Sequence, residues 1–169
     1  MSLFSPTADV SVRPAVSGDE DAVARIQLSA WAATHTDVLT EDVLDKLDGD
    51  RIRAQWRDAI MSPPGPGFAV LVACSGPHVV GFCAVAPAQL VSLEVLPEHR
   101  RGGHGSRLLM AGVDRLRSDG AVEVVTWVLD GDTGREQFLA GAGLGPDGRT
   151  RVLATGLKDV RESRWSASL

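Results

Sequence analysis

Apolar residues recur along this chain at two spacings, and the change from one to the other divides the sequence. Val10, Val12 and Ala15 around Arg13 and Pro14 predict a short first strand. Ser17 and Glu20 have the S-x-x-E spacing of a capping box, so a helix is expected to open there. Val23, Ile26, Gln27, Ala30 and Trp31 then fall on one helical face, predicting a buried stripe that ends near Thr34, where Thr34-His35-Thr36-Asp37 breaks the pattern. Thr40 is placed to cap a second short helix through Leu44 and Leu47. Ile52, Trp56 and Ile60 continue at helical period until Pro63-Pro64-Gly65-Pro66-Gly67 stops it.

From Phe68 the period shortens. Phe68 to Cys74 and His78 to Val85 are apolar, partly β-branched runs separated by Ser75-Gly76-Pro77, which predicts two antiparallel strands. Gln89 to Val95 predicts a third, with Leu93 and Val95 on one face and Ser92 and Glu94 on the other. Leu108, Leu109, Val113 and Leu116 mark an amphipathic helix from Gly105 to Ser118, and Ala121 to Leu129 reads as a strand again. A strand, helix, strand crossover makes those two strands parallel neighbours. Asp132 or Thr133 opens a last helix through Phe138 and Leu139 to Gly141, and strands are expected around Arg149 to Ala154 and Val160 to Ala167.

Composition narrows the class. At 169 residues the chain has the length of one domain, and its 44% hydrophobic and 23% charged content is that of a globular protein. No apolar run approaches the roughly 18 to 20 residues that a spanning helix needs, so no membrane partner is expected. The opening residues lack the basic and apolar regions of a secretory signal; residues 1–9 are expected to be a flexible tail, and the expected compartment is the cytoplasm. A formal charge of -5 disfavours nucleic acid as a partner. Cys74 and Cys83 are too few for a disulfide framework or a cysteine zinc site, and no metal is expected. The chain contains neither tyrosine nor asparagine.

The segment richest in chemistry is Val91 to Leu109, a strand, a glycine-rich turn and the first turn of a helix. Unpaired N–H groups at a helix N-terminus favour anions, and Gly102, Gly103 and Gly105 remove the β-carbons that would hold phosphate oxygens away. Ser106 adds a hydroxyl, and Arg100 and Arg101 add positive charge. A Walker loop is excluded because no lysine follows the glycines. A dinucleotide fingerprint fails because Leu108 stands where its third small residue belongs. A turn that merely needs flexible residues is the remaining alternative on the glycines alone.

Arg100-x-x-Gly103-x-Gly105 matches the [QR]-x-x-G-x-[GA] motif of the GNAT superfamily of acyl-CoA-dependent N-acyltransferases, and follows the strand at a V-x-P step, Val95-Leu96-Pro97. Trp31 and His35 resemble the family's W-x-x-x-[YH] helix end. Trp127-Val128-Leu129 followed by Asp132, Phe138 and Gly143-Leu144 resembles its W-V-L...N...F-Y...G-F block. The likeness runs from about Val10 to Trp165. It implies a single α/β domain of α+β type over residues 1–169: a central mixed, mostly antiparallel sheet with a splayed parallel strand pair and flanking helices. It further implies acetyl-CoA as acyl donor, with the pyrophosphate on the loop Arg101, Gly102, Gly103, His104, Gly105 and Ser106 beside Arg100. The pantetheine would pair with the backbone of Leu93, Glu94 and Val95 and approach Asp132. The amine acceptor, of a small molecule or of a protein or peptide, would approach over Trp31 and His35, and the Val95 N–H would face the developing oxyanion. A homodimer is compatible with the resemblance.

Two departures bear on proton transfer. The family's tyrosine, often the acid for the leaving thiolate, is Leu139 here, and its asparagine is Asp132; a glutamate base found in some relatives is replaced by Trp127. A thiol with a pKa near 8.5 leaves tolerably as its anion, so losing the acid slows the reaction without ending it. The amine is harder, since deprotonating one of pKa about 10.4 costs roughly 4 to 5 kcal/mol at pH 7. Glu94 is the first candidate base and His35 the second; His99 and His104 flank the loop, and Trp56 is an alternative pocket wall. A non-catalytic acyl-CoA-binding module, and an acyltransferase for a longer acyl group, are the competing readings.

Overall fold

The computed structural model describes residues 10–34, 42, 46–154 and 159–169. The chain-order elements are β1 (Val10–Pro14), α1 (Glu20–Thr34), α2 (Gly49–Met61), β2 (Ala69–Ser75), β3 (His78–Ala86), β4 (Gln89–Val95), a 3-10 turn (Pro97–His99), α3 (His104–Ser118), β5 (Glu123–Leu129), α4 (Thr133–Gly141), β6 (Gly145–Ala154) and β7 (Asp159–Ser168). The seven strands form one sheet in the order β1-β2-β3-β4-β5-β7-β6. Every neighbouring pair is antiparallel except β4 with β5. The expected mixed, mostly antiparallel sheet is present, with helices on both of its faces.

Alternation sends each strand's apolar residues both ways. Val72, Val80, Phe82 and Leu96 pack with Val23 and Ile26 of α1 on one face. Cys83, Val85, Leu93 and Val95 pack with Leu108, Leu109 and Leu116 of α3 on the other, where Leu139 of α4 and Leu144 also sit. β2 and β3 are buried on both sides, and for that reason their sequences read as unbroken apolar runs. Helix α3 lies close against the sheet at Gly112, where a β-carbon would sit 3.2 Å from Cys83 Sγ and 3.4 Å from a Val85 methyl.

The start of α1 differs from the expected capping box. Asp19, not Ser17, precedes the helix, its carbonyl accepting from the Val23 N–H. Its carboxylate accepts from Nη1 and Nη2 of Arg13 on β1, at 2.7 and 3.2 Å, and from the Val16 N–H at 2.8 Å. Glu20 turns back onto the Gly18 N–H. An ion pair to the neighbouring strand outcompetes the purely local hydroxyl cap. Thr40 and Leu44, expected in a second helix, lie outside the described residues, as does the 1–9 tail. Leu47 lies in a bend, and α2, the helix that carries Ile52, Trp56 and Ile60, opens at Asp48, whose carboxylate accepts from Asp50 and Arg51 N–H at 3.0 and 3.1 Å.

Trp56 of α2 meets Phe82 edge-on at 4.9 Å between ring centroids, and its indole N–H donates to Gln27 Oε1 at 2.8 Å. It therefore locks α2 to α1 and the sheet rather than lining a pocket. Phe82 is fully buried beneath it. Phe82→Ala should lower unfolding stability by about 3 to 5 kcal/mol, read as a reduced denaturant midpoint at unchanged m-value.

Candidate active site

The site is built around a strand pair that separates. β4 and β5 are joined at Gln89 and Val125, with the Val125 N–H donating to Ala88 O at 3.0 Å, and share no further pair among the described residues. The cause lies on β4's other side. Pairing with β3 runs Ala84 to Ser92 and then Val85 to Leu90, which leaves Val91 as an extra, unpaired residue. A bulge of this kind bends its strand, and here the bend coincides with the parting from β5.

The parting leaves backbone groups open. Leu96 N–H donates to Val80 O at 2.9 Å, which fixes the phase of the β3–β4 ladder. Ser92, Glu94 and Leu96 turn their amides and carbonyls to β3, and Leu93 and Val95 turn theirs into the gap. An extended ligand is thereby offered the edge of a strand.

Beyond β4 the chain makes the glycine turn. Arg101 and Gly103 adopt positive φ, 62° and 84°, and α3 starts at His104 without any side-chain cap. The first amides of α3 therefore keep their donors free. The groove in front of them, about 580 Å³, is lined by Leu93, Glu94, Val95, Arg100, Arg101, Gly103, Gly105 and Ser106, and on its far side by Asp132, Arg135 and Phe138 of the α4 region. The Phe138 ring stands 3.6 Å from where a Gly105 β-carbon would be. Arg100 also donates to Thr34 Oγ1 at 3.1 Å, tying the turn to the end of α1.

A second cleft, about 270 Å³, occupies the gap itself. Trp31 of α1, Leu90 to Glu94 of β4, Thr126 to Leu129 of β5, Leu139, Leu153 of β6 and Val160 and Glu162 of β7 form its walls. The Arg151 guanidinium lies 4.3 Å over the Trp127 ring and donates to Glu162, which bundles three of these strands into one wall. Groove and cleft share four residues: Leu93, Glu94, Asp132 and Arg135.

At that junction Arg135 Nη2 donates to Glu94 Oε1 at 3.1 Å, with the Glu94 side chain 12% exposed. Burial pushes the Glu94 carboxyl up, Arg135 and then Arg100 pull it back, and Asp132 adds a further push upward; the net direction is up. A carboxylate raised in this way is better matched to proton transfer near neutrality. Asp132 is the cap of α4, its Oδ1 accepting from the Arg135 N–H at 3.0 Å.

Of the residues singled out by sequence, Trp31, Leu93, Glu94, Val95, Arg100, Arg101, Gly103, Gly105, Ser106 and Asp132 line these two spaces. Gly102 belongs to the turn without lining either. His35 lies outside the described residues. His104 turns inward: it is 6% exposed, and Nδ1 has no hydrogen-bond partner among the described residues. Arg135, Thr126 and Glu162 were not anticipated. Arg135 is four residues before Leu139 on one helical face, and Glu162 two after the buried Val160 on one strand face, so both fall in apolar registers where a charge is anomalous.

A groove for an anion and an extended arm, meeting a smaller cleft beside a buried carboxylate, defines a group-transfer enzyme. Residues 27–143 match the family model described as acetyltransferase (GNAT) family, and the chain belongs to that family of acyltransferases. It is 25% identical over 130 residues to the uncharacterized N-acetyltransferase YuaI of Bacillus subtilis, covering 72% of each chain. Its fold is similar to the PaiA N-acetyltransferase of Thermoplasma acidophilum, solved in complex with coenzyme A, at a TM-score of 0.76, 16% identity and coverage of 95% and 99%. It is likewise similar to YncA of Salmonella typhimurium, solved with its cofactor acetyl-CoA, at 0.71, 21% identity and coverage of 95% and 94%.

The inward His104 has a measurable signature. Burial first, then His99 and Arg107, hold its imidazole below the ordinary value of 6.5. The unfolded chain then binds that proton more tightly than the folded one, so stability is lost as pH falls below about 6.5. The stability of wild type relative to His104→Phe should rise between pH 5 and pH 7 in denaturant titrations. A difference constant across that range would contradict a neutral, buried His104.

Proposed function

We propose that the protein transfers the acetyl group of acetyl-CoA to a primary amine by direct attack, and that it does so in the cytoplasm. The observation that carries this reading is the meeting of the two spaces at Leu93, Glu94, Asp132 and Arg135, beneath an unpaired strand edge. The residues present fit the donor. The uncapped α3 start and the positive-φ turn would hold its pyrophosphate, with Arg100, Arg101 and Ser106 adding charge and a hydroxyl. The backbone of Leu93 and Val95 would pair with its amide-bearing arm. When bound, acetyl-CoA supplies an activated acyl carbon and a thiolate leaving group.

The chain's own residues do the rest. The Val95 N–H, turned into the gap, is placed to donate to a carbonyl oxygen as negative charge builds on it. Glu94 takes the proton that an ammonium must lose, directly or through one water. Glu94, Asp132 and Glu162 against Arg135 give the cleft walls an acidic balance, which supports a cationic acceptor, and Trp31 and Trp127 offer that acceptor apolar contact.

Acetyl-CoA should raise the melting temperature of wild type by mass action. Gly105→Val should abolish the shift, because its methyls would fill the space between the turn and Phe138. A folded variant with an undiminished shift would remove the phosphate loop from the reading.

Glu94→Gln should lower kcat/KM for an amine of pKa near 10 by about 10² to 10⁴-fold with little change in acetyl-CoA affinity, and should affect an amine of pKa near 8 less. In wild type the rate should fall with decreasing pH as the raised Glu94 carboxyl takes up its proton, and this acid limb should be missing in the variant. A loss under about threefold for both amines would assign the base elsewhere.

A further inference from the structure

Acyl transfer leaves negative charge on sulfur, and among the described residues that line the cleft the neutral donors are the hydroxyls of Ser92 and Thr126 and the indoles of Trp31 and Trp127, none of them acidic enough to protonate a thiolate. The chain contains no tyrosine, and the side chain where relatives place one, Leu139, is fully buried and apolar. The surroundings make the problem worse, since Glu94, Asp132 and Glu162 all line the cleft and would each repel a thiolate. Glu162 is partly neutralised by Arg151 from β6. Among the residues lining the cleft, one cation stands against these carboxylates. It is Arg135, one turn before Leu139 on the same face of α4, with its side chain 24% exposed.

We propose that Arg135 stabilises the departing thiolate by charge, in the role a proton donor would otherwise fill. The inference rests on the acetyl-CoA reading above. Arg135 is at the junction of groove and cleft, where the donor's arm ends and the acceptor begins. One of its N–H groups is engaged by Glu94, and a guanidinium has further donors to offer. It does not give up a proton in proteins, so the balance of the step is definite. The amine nitrogen forms the new C–N bond and the C–S bond breaks with its electron pair on sulfur. An ammonium acceptor gives up two protons, one before attack and one from the nitrogen after the C–N bond forms, and each passes through Glu94 to water. Sulfur leaves as the anion beside Arg135 and is protonated by solvent after release.

The pair also explains why Glu94 and Arg135 are found together. A lone guanidinium here would repel an ammonium acceptor, and a lone carboxylate would repel the thiolate; joined, each offsets the other's charge toward the wrong partner.

The test reads the thiol rather than turnover. Coenzyme A bound to the protein is titrated by the ultraviolet absorbance of its thiolate, with binding checked separately by calorimetry. The charged and titratable groups that line the two spaces are Arg135 and Asp132 of the α4 region, Glu94 of β4, Glu162 of β7 and, along the groove, His99, Arg100 and Arg101. The bound thiol in wild type should titrate below free coenzyme A. In Arg135→Gln it should titrate about one unit higher than in wild type, equivalent to about tenfold less thiolate at a given pH, and Arg135→Lys should keep most of the depression. The same difference should persist in a Glu94→Gln background, which separates the guanidinium from its partner. A wild-type thiol titrating at or above free coenzyme A overturns the proposal whatever the variants do, as does an Arg135→Gln complex that titrates with wild type. Failure of wild type to bind coenzyme A at all would instead overturn the donor reading beneath it.

Discussion

The site depends on one failure of pairing. Two parallel strands that start side by side would ordinarily continue their ladder, because buried amides and carbonyls left without partners are costly. Here β4 carries one residue too many against β3, and after Gln89 its edge parts from β5. The amides and carbonyls of Leu93 and Val95, turned into the gap, are the feature that a ligand with an extended amide-bearing arm is best able to satisfy. Everything else at the site is arranged around that gap: the glycine turn at the end of β4, the cap of α4 beyond β5, and the Trp127–Arg151–Glu162 wall behind it.

Electrostatics at the gap follow from burial. Glu94 is on the parity of β4 opposite Leu93 and Val95, so the same alternation that buries those two for the core delivers a carboxylate to the cleft. Shielded from water, its carboxyl is raised by desolvation while Arg135 pulls it back. The pair is therefore a local setting of proton affinity and charge. Surface ion pairs of this chain, such as Arg53 with Asp21, have no comparable environment and little consequence.

Much of this architecture could be read from the chain. Strand alternation placed Leu93 and Glu94 on opposite faces, the punctuation at Ser75-Gly76-Pro77 marked the β2–β3 turn, and the glycine turn stood out because its spacing failed two other phosphate motifs. The bulge at Val91 was not legible, since it exists only as a mismatch with β3 and register is a property of two strands. Asp19 was missed in favour of Ser17 because its partner, Arg13, is contributed by a different element. Arg135 was missed because a charged residue on a short helix reads as solvated. Only its register with Leu139 contradicts that, and the meaning of the contradiction appears once both clefts are seen to meet there.

Gly112 carries a mechanical implication. It is two turns along α3 from the glycine turn, in the core and outside the lining of both clefts, yet it sets how near the helix can lie to β3. The anion-facing amides belong to the same rigid rod, and close-packed interiors pass displacement along instead of absorbing it. A single methyl group added beneath the rod would be taken up as a lift or tilt at its far end. The tolerance of the phosphate cradle is in this way written into the helix–sheet spacing, and a change of packing in the core would register as a change of affinity at the surface.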